Sequence, residues 1–92
     1  MPGPRSNEGF EFVGEVGVEA WKHIGARVKE LGPMRPTERI IAELGAVTVC
    51  LANTLRPAVE ASNSRATVAD QLLQRVMQQT RLLLEPVIKK QN

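Results

Sequence analysis

The stretch IIAELGAVTVCLANTLRPAV, residues 40–59, decides the fold of this chain. Its apolar residues recur every three or four positions, at Ile40, Leu44, Val47, Leu51, Leu55 and Val59. That spacing places all six on one face of an α-helix. The local run AVTVC favours a β-strand by residue preference, but the helical spacing continues far beyond the length of a strand. The stretch therefore predicts a long helix with this row in the core.

A first helix is predicted upstream, because apolar residues recur at helical spacing before the break at Gly32–Pro33. The row consists of Val13, Trp21, Ile24, Val28 and Leu31. Trp21 is expected to anchor the core. Gly14 and Gly17 each cost about 1 kcal/mol relative to alanine in a helix interior. The helix is therefore expected to fray at its start, or to begin as late as Gly17.

A third helix is predicted after the polar break ASNSR, residues 61–65. Thr67, with Asp70 three residues later, has the capping-box spacing of a helix start, and Thr37 is the expected N-cap of the second helix. Pro57 is expected to kink the second helix, and Pro86 to bend or end the third. Two adjacent apolar rows line the third helix. They are Val68, Leu72, Val76, Leu83 and Val87, and beside them Leu73, Met77, Leu84 and Ile88.

Three helices with short connections predict an all-α fold, a three-helix antiparallel chain. Residues 1–9 hold two prolines and two glycines and predict a flexible tail, whereas residues 10–92 are expected to form a single helical domain. A chain this small buries only about 60–65% of its unfolded surface. Together with the wide apolar band of the third helix, this predicts a homodimer in which two chains form a helical bundle.

Composition excludes several classes of protein. The single cysteine, Cys50, allows no intrachain disulfide and no cysteine-rich zinc site, which suits a reducing compartment. His23 has neither a serine nor a cysteine at catalytic spacing, and no phosphate-binding loop is present, so no enzyme, cofactor, metal or small-molecule substrate is expected. No apolar run approaches the roughly 20 residues that span a bilayer, and no signal pattern appears. A soluble cytoplasmic protein without a membrane partner is expected.

Positive charge is concentrated in the second part of the chain. Residues 8–30 carry five acids and three bases, whereas residues 35–92 carry eight bases and five acids. Beside the apolar row, a polar flank of the second helix contains Arg39, Glu43, Ala46, Cys50 and Asn53. A helix of about 26 residues is about 39 Å long, so a pair of such helices could follow one turn of an RNA duplex. From periodicity alone, a solvated flank with Cys50 as a small boundary hydrophobe is favoured.

Two segments add a resemblance to this pattern. AELGAVTVCLANTL, residues 42–55, resembles the central helix of the alphanodavirus RNA-silencing suppressors. VEASNSRATVADQLLQRV, residues 59–76, is similar to the segment where that helix passes into the last one. The resemblance implies a viral, all-helical, antiparallel dimer built as a four-helix bundle that lies along one face of double-stranded RNA. Such a dimer shields long duplexes from Dicer and short ones from loading into the silencing complex.

The resemblance also implies roles for single residues. Cys50 matches the cysteine that faces RNA in that family, and Asn53 takes the next position. The later basic position falls on Glu60, so Arg56 or Arg65 is expected to supply the charge. The predicted RNA-binding residues are therefore Arg39, Cys50, Asn53, Arg56 and Arg65, with Arg75, Lys89 and Lys90 as secondary candidates.

The predicted function is sequence-independent binding of double-stranded RNA that suppresses silencing in the cytoplasm of a host cell. An alternative uses no nucleic acid. In it, the chain is a helical interaction module that dimerises or docks a partner helix through the two apolar rows of the third helix.

Overall fold

The computed structural model describes residues 6–90, and the side chains of residues 6–8 and 10 lie outside that description. Three helices make up this part of the chain: α1 (Ser6–Lys29), α2 (Pro36–Glu60) and α3 (Arg65–Lys89). No strand occurs among the described residues, so the predicted all-α fold is confirmed. Residues 6–9, which were predicted to be part of a tail, are helical, and residues 1–5 of that tail are not described.

The end of α1 follows from its sequence. The backbone N–H groups of residues 30–32 donate to carbonyl oxygens three residues earlier, at 3.0 to 3.1 Å, which tightens the last turn. Gly32 then adopts a φ of 103°, a conformation that glycine reaches without steric cost. Because Pro33 follows and cannot continue the helix, the chain turns toward α2 at the position that the sequence predicted.

Both later helices begin earlier than predicted. α2 starts at Pro36, whose fixed φ suits the first helical position, so the prediction of Thr37 as N-cap is wrong. α3 starts at Arg65 with Ser64 at its N-cap, so the prediction for Thr67 is also wrong. There, the Ser64 N–H donates to Ser62 Oγ at 2.9 Å, which orders the turn two residues ahead of the helix.

Both prolines lie inside helices. α2 continues beyond Pro57 to Glu60, and α3 continues beyond Pro86 to Lys89. α3 therefore does not end at Pro86, while a bend at Pro86 and a kink at Pro57 stay predictions. Each proline removes one backbone donor close to the end of its helix, where few helical hydrogen bonds remain to be lost.

The chain divides into two compact units, Met1–Val49 and Cys50–Asn92. The first unit is a hairpin of α1 with the first part of α2. Its buried residue is Val28, which is 7% exposed. The second unit is a hairpin of the rest of α2 with α3. Its half-buried apolar residues are Leu51, Leu55 and Val59 on α2, and Val68, Ala69, Leu72 and Val76 on α3. The predicted single domain for residues 10–92 stays a prediction.

Large parts of the predicted core are uncovered within one chain. Ile40, Leu44 and Val47 are 57%, 59% and 44% exposed, although they continue the row that α3 covers further along α2. Trp21, predicted to be a core anchor, is 62% exposed. Leu83 of α3 is 79% exposed. The core prediction is wrong for these residues in the single chain, because a hairpin of two helices covers only one face of each.

By length and composition, α2 could cross a bilayer, whereas no apolar run long enough to do so was predicted from the sequence. The helix has 25 residues and an 18-residue window of mean hydropathy 1.2, none of it buried. The core helix of a soluble protein meets the same criterion, so this property alone does not place the protein in a membrane.

Candidate nucleic-acid interface

Cys50, Asn53 and Arg56 form an exposed flank of α2 in the second unit. Successive members are three residues apart, so each is turned by about 60° from the one before, and the three cover about 9 Å of helix length. The half-buried residues Leu51 and Leu55 lie on the other side of the helix. In this unit, the predicted division of α2 into an apolar face and an exposed polar flank is present.

Glu60 lies one helical turn beyond Arg56 and forms an ion pair with it. The distance from Arg56 Nε to Glu60 Oε1 is 3.7 Å, and the two side chains are 66% and 61% exposed. Exposed pairs of this kind contribute at most about 1 kcal/mol, so the arginine can exchange its partner at little cost. Glu60 therefore offsets the Arg56 charge but does not hold the side chain firmly.

Arg65 contacts Glu60 as well, through a different atom. Its Nη2 donates to the backbone carbonyl oxygen of Glu60 at 3.2 Å. Arg56, Glu60 and Arg65 thus form one group, called here the arginine cluster, with a net charge of +1. Since the acceptor of Arg65 is a neutral carbonyl, no carboxylate in the cluster offsets its charge. The i, i+4 spacing of Arg56 and Glu60 was visible in the sequence, but the contact across the turn was not.

Arg39 belongs to the first unit and has a different environment. Its Nε lies 3.1 Å from Glu43 Oε1, and the two side chains are 43% and 23% exposed. A Cβ added to Gly25 of α1 would lie 3.8 Å from both side chains, so the pair packs against α1 at this glycine. The charge of Arg39 is therefore paired with that of Glu43, within the same hairpin. Gly25 was not among the residues predicted from the sequence, although the i, i+4 spacing of Arg39 and Glu43 indicates their pairing.

The secondary candidates lie on and just beyond α3. Arg75 lines a shallow groove of about 430 Å³ with Gln71, Gln74 and Gln78. Lys89 ends the helix and Lys90 follows it, and both are exposed. Arg65 and Lys89 are 24 positions apart, which is about 36 Å along a straight helix. The two lysines are therefore separate from the arginine cluster.

Among the described residues, no group of three or more histidine, cysteine or acidic side chains could hold a metal ion. No protein family matches the chain, and no characterised protein or solved structure is significantly similar to it. The resemblance to the nodavirus suppressors therefore rests on the quoted residues alone.

Proposed function

We propose that this protein binds double-stranded RNA without sequence preference and thereby suppresses RNA silencing in the cytoplasm of a host cell. One observation carries the proposal. Arg56 and Arg65 are drawn together around Glu60, at the end of the flank that begins with Cys50. This flank is the part of α2 that resembles the silencing suppressors.

The chemistry of the flank suits a duplex backbone. Guanidinium groups donate to phosphate oxygens with charge assistance, and the Asn53 amide can donate to a phosphate or a 2′-hydroxyl. Such contacts position a protein on a duplex but carry no sequence information. Binding of this type falls steeply with salt, because each neutralised phosphate releases counterions.

A homodimer is part of the proposal. The apolar residues Ile40, Leu44 and Val47 are exposed in the single chain, as are Leu73 and Met77 on α3. A second copy would cover such residues and would also supply a second arginine cluster. Since a single cluster has a net charge of only +1, two copies would bind a polyanion more strongly than one.

The test is a mobility shift with two RNA duplexes of unrelated sequence over a salt series. Arg56→Gln and Arg65→Gln are each expected to weaken binding to both duplexes alike, by about tenfold at low salt. Arg27→Gln is the matched control. Its ion pair with Glu30 is 69% and 59% exposed, close to the values for Arg56 and Glu60.

Absence of a shift for the wild-type protein at micromolar concentration in low salt would refute the RNA function. Equal losses in Arg27→Gln and Arg56→Gln would refute the assignment to the arginine cluster and leave only a general charge effect.

A second candidate function, a helical interaction module without RNA binding, is favoured by one observation. Apolar side chains along α3, among them Met77 at 66% exposure, have no cover in the single chain. A stable self-associating protein that gives no RNA shift would favour this candidate.

A further inference from the structure

A groove runs between the two helices of the first unit. It has a volume of about 600 Å³, lies between residues 21–29 of α1 and residues 36–43 of α2, and is called here the hairpin groove. All of its lining residues belong to the first unit, so the groove is a property of this hairpin by itself. Its volume is within the range of about 300–1,000 Å³ that is typical of ligand sites.

An apolar surface with one large aromatic side chain lies in the groove. Trp21 of α1 is 62% exposed, and Ile40 of α2 is 57% exposed. Gly25 and Ala26 of α1 also line the groove, where larger side chains would narrow it. Tryptophan is among the residues that contribute most to the binding energy of protein interfaces. This part of the groove therefore suits the apolar side chains of a partner.

Positive charge borders this apolar surface. Lys22 and Lys29 of α1 line the groove, and neither forms an ion pair with any other described residue. Arg39 also lines it and is paired with Glu43. The described lining residues thus carry three positive charges and one negative charge, a net charge of +2. The two lysines are seven positions apart, which is about 10.5 Å along α1.

We propose that the hairpin groove binds an acidic amphipathic helix of another protein. The apolar face of that helix lies against Trp21 and Ile40, and its acidic side chains pair with Lys22 and Lys29. Because any α-helix advances by about 10.5 Å in seven residues, a helix that lies along α1 presents acids at the separation of the two lysines. An amphipathic helix in an apolar groove is a recurring mode of peptide recognition.

The positive charge of the groove also attracts nucleic acid, but its apolar surface does not suit a duplex. The outside of an RNA duplex presents phosphates and 2′-hydroxyls, and these groups lose water without gaining a hydrogen bond when they are held against Trp21 and Ile40. An acidic amphipathic helix matches both the charge and the apolar surface. The inference goes beyond the proposed RNA binding and does not rest on it, because it uses no residue of the arginine cluster.

Tryptophan fluorescence of the full chain tests the proposal. Trp21 is the single tryptophan and the chain has no tyrosine, so the emission reports on the groove directly. In the free chain, emission is expected at the long wavelength of a hydrated indole and is expected to be quenched by acrylamide. The probe is a synthetic helical peptide with leucines at heptad spacing and flanking glutamates seven residues apart. It is expected to shift the emission to shorter wavelength until saturation and to protect the indole from acrylamide.

Two matched peptides separate charge from apolar contact. In the first, lysines replace the glutamates, and in the second, alanines replace the leucines. Neither is expected to shift the emission of Trp21 at concentrations at which the acidic amphipathic peptide saturates. An equal shift with the lysine peptide would overturn the acidic character of the partner, and an equal shift with the alanine peptide would overturn the apolar contact.

Variants of the chain test the residues of the groove. Lys22→Glu and Lys29→Glu are each expected to weaken peptide binding by about tenfold at low salt, because an attractive pair becomes a repulsive one. Arg27→Glu is the matched control. It makes the same charge change on α1, but Arg27 is about 200° around the helix from Lys29 and pairs with Glu30, so binding is expected to stay unchanged. Trp21→Ala, measured by anisotropy of a labelled peptide, is expected to weaken binding at least as much as either lysine variant. Circular dichroism establishes that each variant keeps its helices.

Other occupants of the groove give different results, and each of them would overturn the proposal. Short-wavelength emission from a free chain that acrylamide does not quench would show that the groove is already covered. A shift that develops with chain concentration would identify a second copy as the occupant. A shift with duplex RNA that competes with the peptide would identify RNA. Equal losses in Arg27→Glu and Lys22→Glu would reduce the binding to a general charge effect. A chain that binds the peptide but shifts no RNA would refute the RNA function and support this inference.

Discussion

Arg65 donates from Nη2 to the backbone carbonyl oxygen of Glu60 at 3.2 Å, across the turn between α2 and α3. The Glu60 carboxylate forms an ion pair with Arg56, so one acid contacts two arginines through two different groups. Two basic side chains therefore contact Glu60, the acid that stands where the resemblance would place a basic residue.

Glu60→Gln is expected to increase the affinity for duplex RNA at low salt. The change removes a negative charge beside the proposed phosphate contacts, raising the net charge of the arginine cluster from +1 to +2, and it leaves the backbone carbonyl that Arg65 contacts. The gain should shrink as salt rises, because the interaction is screened. Fluorescence anisotropy with a labelled duplex measures it, with Glu30→Gln as control. Unchanged or weaker binding by Glu60→Gln would show that Glu60 does not face the RNA.

Arg39→Gln is expected to affect stability rather than RNA binding. Its ion pair with Glu43 is the least exposed of the described arginine–glutamate pairs, so its loss should lower the free energy of unfolding by about 0.5–1 kcal/mol. Arg35→Gln is the control, since its pair with Glu38 is 87% and 58% exposed. Urea denaturation measures the stability of each variant. If Arg39→Gln weakened RNA binding as much as Arg56→Gln does, Arg39 would be shown to contact RNA, as the sequence predicted.

The Cys50 thiol is expected to report directly on the proposed interface. Cys50 is exposed and forms no disulfide, so a thiol reagent such as DTNB should react with one equivalent per chain. Saturating duplex RNA should slow this reaction several-fold, whereas single-stranded RNA of the same length should not. Equal reaction rates with and without duplex would place the cysteine outside the interface.

Two glycine-to-alanine substitutions are expected to act in opposite directions. Gly25→Ala adds a methyl group at ordinary contact distance, 3.8 Å, from Arg39 and Glu43, and it removes a flexible residue from a helix interior. It should stabilise the protein by about 0.5–1 kcal/mol. Gly32→Ala forces a side chain into a φ of 103° and should destabilise it by about 1 kcal/mol or more. Thermal or urea unfolding measures both changes, and destabilisation by Gly25→Ala would contradict the packing of α1 on α2.

Local sequence signals predicted the helices well and their first residues poorly. The apolar spacing over residues 40–59 and the break at Gly32–Pro33 depend on neighbours in the chain, so they were visible without a structure. The first residues of α2 and α3 were predicted wrongly because several neighbouring residues could begin a helix. α2 begins at Pro36 rather than after Thr37, and α3 has Ser64 rather than Thr67 at its N-cap. The exposed flank of Cys50 and Asn53 was predicted from periodicity. The ion pair of Arg56 with Glu60 was not predicted, although its i, i+4 spacing is visible in the sequence.

The sequence by itself determined that this chain is three helices and which side chains share a face of each. Helical periodicity is a local property, set by 3.6 residues per turn, and needs no knowledge of what lies opposite. Only the tertiary structure decided that Leu51 and Leu55 are half-covered whereas Leu44 and Val47, on the same row, are exposed. It also decided that Arg65 reaches back to Glu60. Coverage depends on which helix the chain brings alongside, and residues distant in sequence settle that. The contact of Arg65 with Glu60 depends on the path of the turn between α2 and α3, which helical periodicity does not describe.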